Sequence, residues 1–140
     1  MTAAAQLGAL HSQRRVLVAV TQHVGGDVQL RRAAGHVVEL DPEAGVQAGA
    51  AGVFLAIANA QDGIMTREQY RKFSAPFDRM VLEAVSGAPL NVLHLHGDKV
   101  YLDLFWKGWP AAAINYSHTG TGTSVAHARR QYGGVLMTGI

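Results

Sequence analysis

The sequence predicts an α/β fold of about four βα units with parallel strands, and three observations carry that prediction. Continuous apolar runs recur at Val53 to Ala58, Leu90 to Leu95, Ala111 to Tyr116 and Val135 to Thr138. Helix-start and helix-stop residues lie between them. The last three runs centre near Leu93, Ile114 and Leu136, about 21 residues apart, which leaves room for the crossover that parallel strands require. At 140 residues, 49% hydrophobic and 16% charged, the chain has material for one core. It is shorter than the roughly 200 to 250 residues of a complete eight-stranded α/β barrel, so the pattern reads as half a barrel or a small open sheet.

Taken in order, residues 1–50 give mixed signals and are expected to form an irregular or truncated leader. Arg15 to Val20 reads as a short strand and Gly25-Gly26-Asp27 as a turn. His36 to Leu40 fits either a strand or a short helical piece, and Asp41-Pro42-Glu43 could open a helix that Gly45 and Gly49 weaken. Residues 51–140 are regular. Val53 to Ala58 suits a strand buried on both faces. Thr66-Arg67-Glu68-Gln69 is a capping-box pattern, in which the Thr hydroxyl and Gln side chain satisfy opposite backbone donors. Pro76 predicts a break near Ser74 and a second helix from there. Phe77, Met80, Val81, Ala84 and Val85 would form its apolar face, with Gly87 as its stop. Further helices are expected over Lys99 to Lys107 and Ser124 to Tyr132.

Composition excludes several classes. There are 12 Lys plus Arg against 10 Asp plus Glu, a net charge of +2. The arginine and lysine pairs are scattered, which argues against a nucleic-acid footprint. The absence of cysteine removes disulfides, thiolate nucleophiles and Cys-ligated zinc. No run approaches the roughly 20 apolar residues of a membrane span, so no membrane partner is expected. Met1 to Leu10 lacks a basic segment and a long apolar core, and a cytoplasmic protein is the expectation.

Chemistry in α/β folds gathers at the carboxyl ends of parallel strands. The residues there are Asn59, Gln61 and Asp62; His94, His96 and Asp98; and Asn115, Tyr116, Ser117 and His118. His94-Leu95-His96-Gly97-Asp98 stands out, because residues two apart in a strand share a face and both imidazoles can meet one ion or anionic substrate. Asp98 is placed to orient a ring. Zinc catalysis needs three protein ligands, so His94 and His96 alone are not a metal site and a third would come from His118 or elsewhere. The plainer alternative makes one imidazole a hydrogen-bonded strand-end group and the other a loop donor. Asn115 and His118 could position a polar ligand or satisfy loop backbone. Gly120 to Ser124 fits an N-cap loop or an anion cradle. Phe105, Trp106 and Trp109 fit helix-to-sheet packing.

The order of these motifs resembles the uroporphyrinogen decarboxylase family, whose superfamily also holds corrinoid-linked methyltransferases. The stretches are Gly49-Ala-Ala-Gly-Val-Phe54, Met65-Thr-Arg-Glu-Gln-Tyr70 with Phe73 and Pro76, Val92-Leu-His-Leu-His-Gly97, Ala113-Ile-Asn115, and Gly133-Gly-Val-Leu-Met-Thr-Gly-Ile140. The resemblance spans roughly residues 47 to 140. It implies a partial (β/α)8 TIM barrel, its fourth to seventh strands. It also implies a cofactor-free carboxy-lyase that removes acetate carboxyls from a tetrapyrrole in porphyrin and haem biosynthesis. On that basis His94 and His96 would be catalytic, and Asn59, Asp98, Asn115 and His118 would bind substrate. The family's pyrrole-gripping Asp and carboxylate-holding Arg residues have no match here, its C-terminal His would lie beyond Ile140, and Ala60 stands where the decarboxylase has Ser. The methyltransferase branch implies zinc on a His-x-Cys pair and a later Cys; His94 matches the first position and His96 replaces the Cys. The remaining alternative is a non-catalytic half-barrel forming a homodimer.

Overall fold

The computed structural model describes residues 16–24, 27–31 and 42–139. Its elements are β1 (Val16–Val24), β2 (Asp27–Arg31), α1 (Pro42–Gln47), β3 (Gly52–Ile57), α2 (Arg67–Gln69), a π-helical turn (Tyr70–Ser74), α3 (Ala75–Ala84), β4 (Val92–Leu95), a 3-10 turn (Leu102–Leu104), β5 (Ala113–Ser117), α4 (His118–Thr121), α5 (Val125–Gln131) and β6 (Val135–Gly139).

The strands form one sheet in the order β2-β1-β3-β4-β5-β6. β3 to β6 pair in parallel, each with its predecessor, and β1 runs parallel to β3. Within this parallel run the order never reverses, unlike the doubly wound arrangement. β2 is antiparallel to β1, with Val24 opposite Asp27. The strand expected from Arg15 thus extends to Val24, and the sheet crosses residue 50 instead of starting after it. Gly25, Gly26, His36 to Leu40 and Asp41, for which a turn, a strand and a helix start were expected, lie outside the described residues. Among the described residues no helix is long and apolar enough to cross a membrane.

The two sheet faces differ because side chains alternate along each strand. Val53, Leu55 and Ile57 of β3, Leu93 and Leu95 of β4, and Ile114 and Tyr116 of β5 are buried in one cluster. Ala60, Tyr70, Leu82, Val85, Leu102, Phe105, Ala128 and Tyr132 from the connecting segments complete it. The opposite face carries Phe54, His94 and Asn115, all half-buried, and Val135 and Met137, which are 58% and 41% exposed. Burial of Val53 to Ala58 is therefore complete on one face only. Asn91 binds the layers together: its Oδ1 accepts from the Val53 amide at 3.0 Å and its Nδ2 donates to the Val85 carbonyl at 2.7 Å.

The capping box forms as the sequence predicts, with Thr66 Oγ1 accepting from the Gln69 amide and Gln69 Oε1 accepting from the Thr66 amide. A second helix does start beside Ser74 as expected, though the chain stays helical through Pro76. The proline occupies the first turn of α3, where its missing N–H costs no bond, and the Tyr70–Ser74 π turn carries the chain in from α2. Val81 and Val85 of the expected apolar face do pack on the core, joined by Leu82 and Asp78, while Phe77, Met80 and Ala84 point outward. The buried Asp78 carboxylate accepts from Tyr70 Oη at 3.0 Å and from Ser74 Oγ at 3.4 Å.

The helix expected over Lys99 to Lys107 shrinks to the single 3-10 turn. Its first residues are held extended against the β3 loop: Val100 bridges Gln61, the Tyr101 amide donates to the Ala60 carbonyl, and Tyr101 Oη donates to Met65 O. The β4–β5 crossover therefore contains no α-helix, which departs from strict βα repetition. Phe105 is nonetheless buried, Trp109 packs beside it at 5.1 Å between ring centroids, and Trp106 meets Tyr116 edge-on. α5 forms as expected, capped by Ser124 Oγ accepting from the His127 amide.

Candidate functional site

The carboxyl ends of β3, β4 and β5 frame an open cleft of about 610 Å³, lined by Gln61, Asp62, His94 to Lys99 and Ser117. His94 is placed by strand register. It lies opposite Asn115 on β5, and Asn115 lies opposite Met137 on β6, so the three side chains form a row on the open face.

That row is hydrogen-bonded. His94 Nδ1 is 2.5 Å from Asn115 Oδ1, and Asn115 Nδ2 donates to the Met137 carbonyl at 2.9 Å. The ring also stacks on Phe54, with centroids 5.1 Å apart and planes 26° from parallel. A hydrogen bond at one nitrogen and an aromatic face together leave the ring little freedom. His96 follows at the strand end, exposed, its ring centroid 5.7 Å from that of His94. The two imidazoles do converge on one side, as their spacing predicts.

The loops beneath them are clamped by Gln61. Its Nε2 donates to the carbonyls of Ala58, at 2.8 Å, and His96, at 3.1 Å, which ties the β3 loop to the β4 loop. Gly97, at φ +114°, is where the chain turns under this clamp, and a Cβ there would sit 2.2 Å from Gln61 Oε1. Only glycine meets both demands. At the rim Lys99 Nζ stands 3.9 Å from Asp62 Oδ2, both side chains well exposed.

The expected site residues divide accordingly. His94, His96 and Asp98 share the cleft, and Asn115 reaches it through His94. Asp98 is not the group that orients His94: its carboxylate packs against Gly120 of α4, close enough that a Cβ there would lie 2.2 Å from Asp98 Oδ1. His118 is engaged elsewhere, its Nδ1 2.7 Å from the Gly139 carbonyl of β6. Neither His118 nor Asn59 is among the lining residues. Gln61, Asp62 and Ser117, expected at the strand ends but given no role, also line the cleft, and Lys99 joins them from a segment expected to be helical. The signal for Gln61 was Gly97, a lone glycine directly after a strand-end histidine, which marks a close approach.

Among the described residues no group of three His, Cys, Asp or Glu side chains is arranged to hold a metal ion. With no cysteine in the chain, the thiolate set of a His-x-Cys site with a later Cys is not reproduced. Comparison with protein-family models, with curated proteins and with solved structures finds no match to this chain.

Proposed function

We propose that the chain is a segment of a (β/α)8 barrel of the uroporphyrinogen decarboxylase type. On this reading the His94–His96 cleft binds a carboxylate-bearing small molecule, a tetrapyrrole in the parent activity, and supports its decarboxylation without metal or organic cofactor. The observation that carries the reading is the convergence of both imidazoles at the carboxyl ends of sequentially ordered parallel strands. Loss of CO2 breaks the bond between the carboxylate and the neighbouring carbon and leaves an electron pair on that carbon, which takes up a proton. His96, exposed to solvent, supplies the proton from its imidazolium form and regains it from water. His94, held rigidly, positions the substrate, and Lys99 faces its remaining carboxylates.

The test is turnover of uroporphyrinogen by the purified chain. Decarboxylated product is expected, falling about 100-fold or more in His96→Ala, the usual worth of a positioned proton donor. Absence of product from folded protein would overturn the assignment.

A second reading, a non-catalytic half-barrel that pairs with another copy, is favoured by one observation: Val135 and Met137 lie exposed on the sheet face opposite the core cluster. Sedimentation separates the two, since a concentration-dependent dimer lost in Met137→Lys supports pairing and a monomer at all concentrations rejects it.

A further inference from the structure

We propose that Asn115 is a positioning residue that holds His94 as the Nδ1–H tautomer and so makes its Nε2 a hydrogen-bond acceptor facing the cleft. The ligand selected at that point is one that presents an N–H or O–H donor. This ligand class rests on the small-molecule reading above; the tautomer does not.

The polarity of the row is set at its far end. Asn115 has one oxygen and one NH2 group, and the group beside Met137 faces a backbone carbonyl, which can only accept. The NH2 must therefore point to Met137, since the reversed amide would set two acceptor oxygens 2.9 Å apart. That leaves Asn115 Oδ1 toward His94 Nδ1, and a carbonyl oxygen demands a donor. His94 Nδ1 accordingly carries hydrogen. In a neutral imidazole the other nitrogen then holds the lone pair. Nε2 makes no hydrogen bond within the described residues, and the ring lines the cleft. The orientation is transmitted by register, His94 to Asn115 to Met137 across three strands, so that a backbone carbonyl on β6 sets the polarity of a side chain on β4. An asparagine does this without adding charge, whereas a carboxylate in its place would favour the imidazolium and turn Nε2 into a donor.

The experiment is a ¹⁵N correlation spectrum of the imidazole nitrogens of the ligand-free chain at a pH where His94 is neutral. Protonated Nδ1 and unprotonated Nε2 are expected for His94 in the wild type. That signature is expected to be lost in Asn115→Ala, whereas in Asn115→Asp Nδ1 is expected to stay protonated and Nε2 to gain a proton, the carboxylate favouring the imidazolium; backbone amide dispersion checks that each variant is folded. An Nε2–H signal in the wild type, or an unchanged Nδ1–H signal in folded Asn115→Ala, overturns the proposal. For the ligand class, pyrrole-2-carboxylate is titrated against N-methylpyrrole-2-carboxylate, which lacks the donor. About tenfold weaker binding of the methylated probe, with the His94 Nε2 resonance shifted only by the parent, supports the assignment, this being the usual cost of an unmet buried hydrogen bond. Equal affinity, or no binding of either, overturns the ligand class while leaving the tautomer result to stand separately from the decarboxylation assay.

Discussion

The two faces of the sheet are made from the same strands and do opposite things. On the helix-covered face Leu93, Leu95, Ile114 and Tyr116 are sealed in the core; one residue away in each strand, His94 and Asn115 stand on a face where Met137 is 41% exposed. One backbone register serves both stability and chemistry. Apolar burial on one side fixes the strands, and the fixed strands then hold a hydrogen-bonded polar row on the other. The open face can carry polar groups because the covered face supplies the hydrophobic stabilisation.

The largest expected effect tests that division directly. Leu93→Ala should destabilise the fold by about 2–5 kcal/mol, the range for a leucine truncated in a packed core. Met137→Ala on the open face should change stability by less than about 0.5 kcal/mol, as for an exposed position. Urea denaturation of the two variants checks this, and equal losses would break the contrast.

Asn91 should follow, since its single side chain serves both β3 and the end of α3. Asn91→Ala leaves a buried amide and a buried carbonyl unpaired, with an expected loss of about 2–3 kcal/mol by the same measurement.

Alkaline pH probes the covered face through its phenols. Burial pushes the Tyr70 hydroxyl far above its ordinary value of 10.0, with the Asp78 carboxylate adding to the effect, and burial likewise raises Tyr116 and Tyr132. Below about pH 10 these phenols are neutral in both folded and unfolded chains and their contribution is complete. Above it the unfolded chain releases protons first, so stability should fall as pH rises. Urea midpoints at about pH 8 and about pH 11 should show the drop, and Tyr70→Phe should make it shallower.

The smallest effect belongs to a helix start. Thr66→Ala removes the cap of α2 and should cost about 1 kcal/mol, read as a lowered thermal midpoint.

Much of this was legible in the chain. The runs at Val53, Leu93, Ile114 and Val135 each became a parallel strand, because a short apolar run bounded by glycine has few other ways to bury itself. The capping box at Thr66 and the N-cap at Ser124 are local and needed no tertiary help. The face of α3 was legible only in part: Val81 and Val85 pack on the core as their spacing suggests, but the inward place of Asp78 depends on the hydroxyls of Tyr70 and Ser74 donating to its carboxylate. The loss of the 99–107 helix was not legible, because it depends on Val100 and Tyr101 being captured by a loop some 40 residues earlier. In the site, the spacing of His94 and His96 foretold their convergence, but their partners came from elsewhere in the chain.

The sequence by itself determined the parallel α/β plan, the four strands after residue 50 and the pairing of two imidazoles, since each follows from periods and spacings within a few residues, whereas β2 was not foreseen. Only the tertiary structure decided that Asn115 rather than Asp98 orients His94, that His118 is tied to β6, and that Gln61 closes the floor of the cleft. Those choices depend on which residues register brings opposite one another across strands, and a hydrogen bond between positions about 21 apart exists only once the sheet has formed.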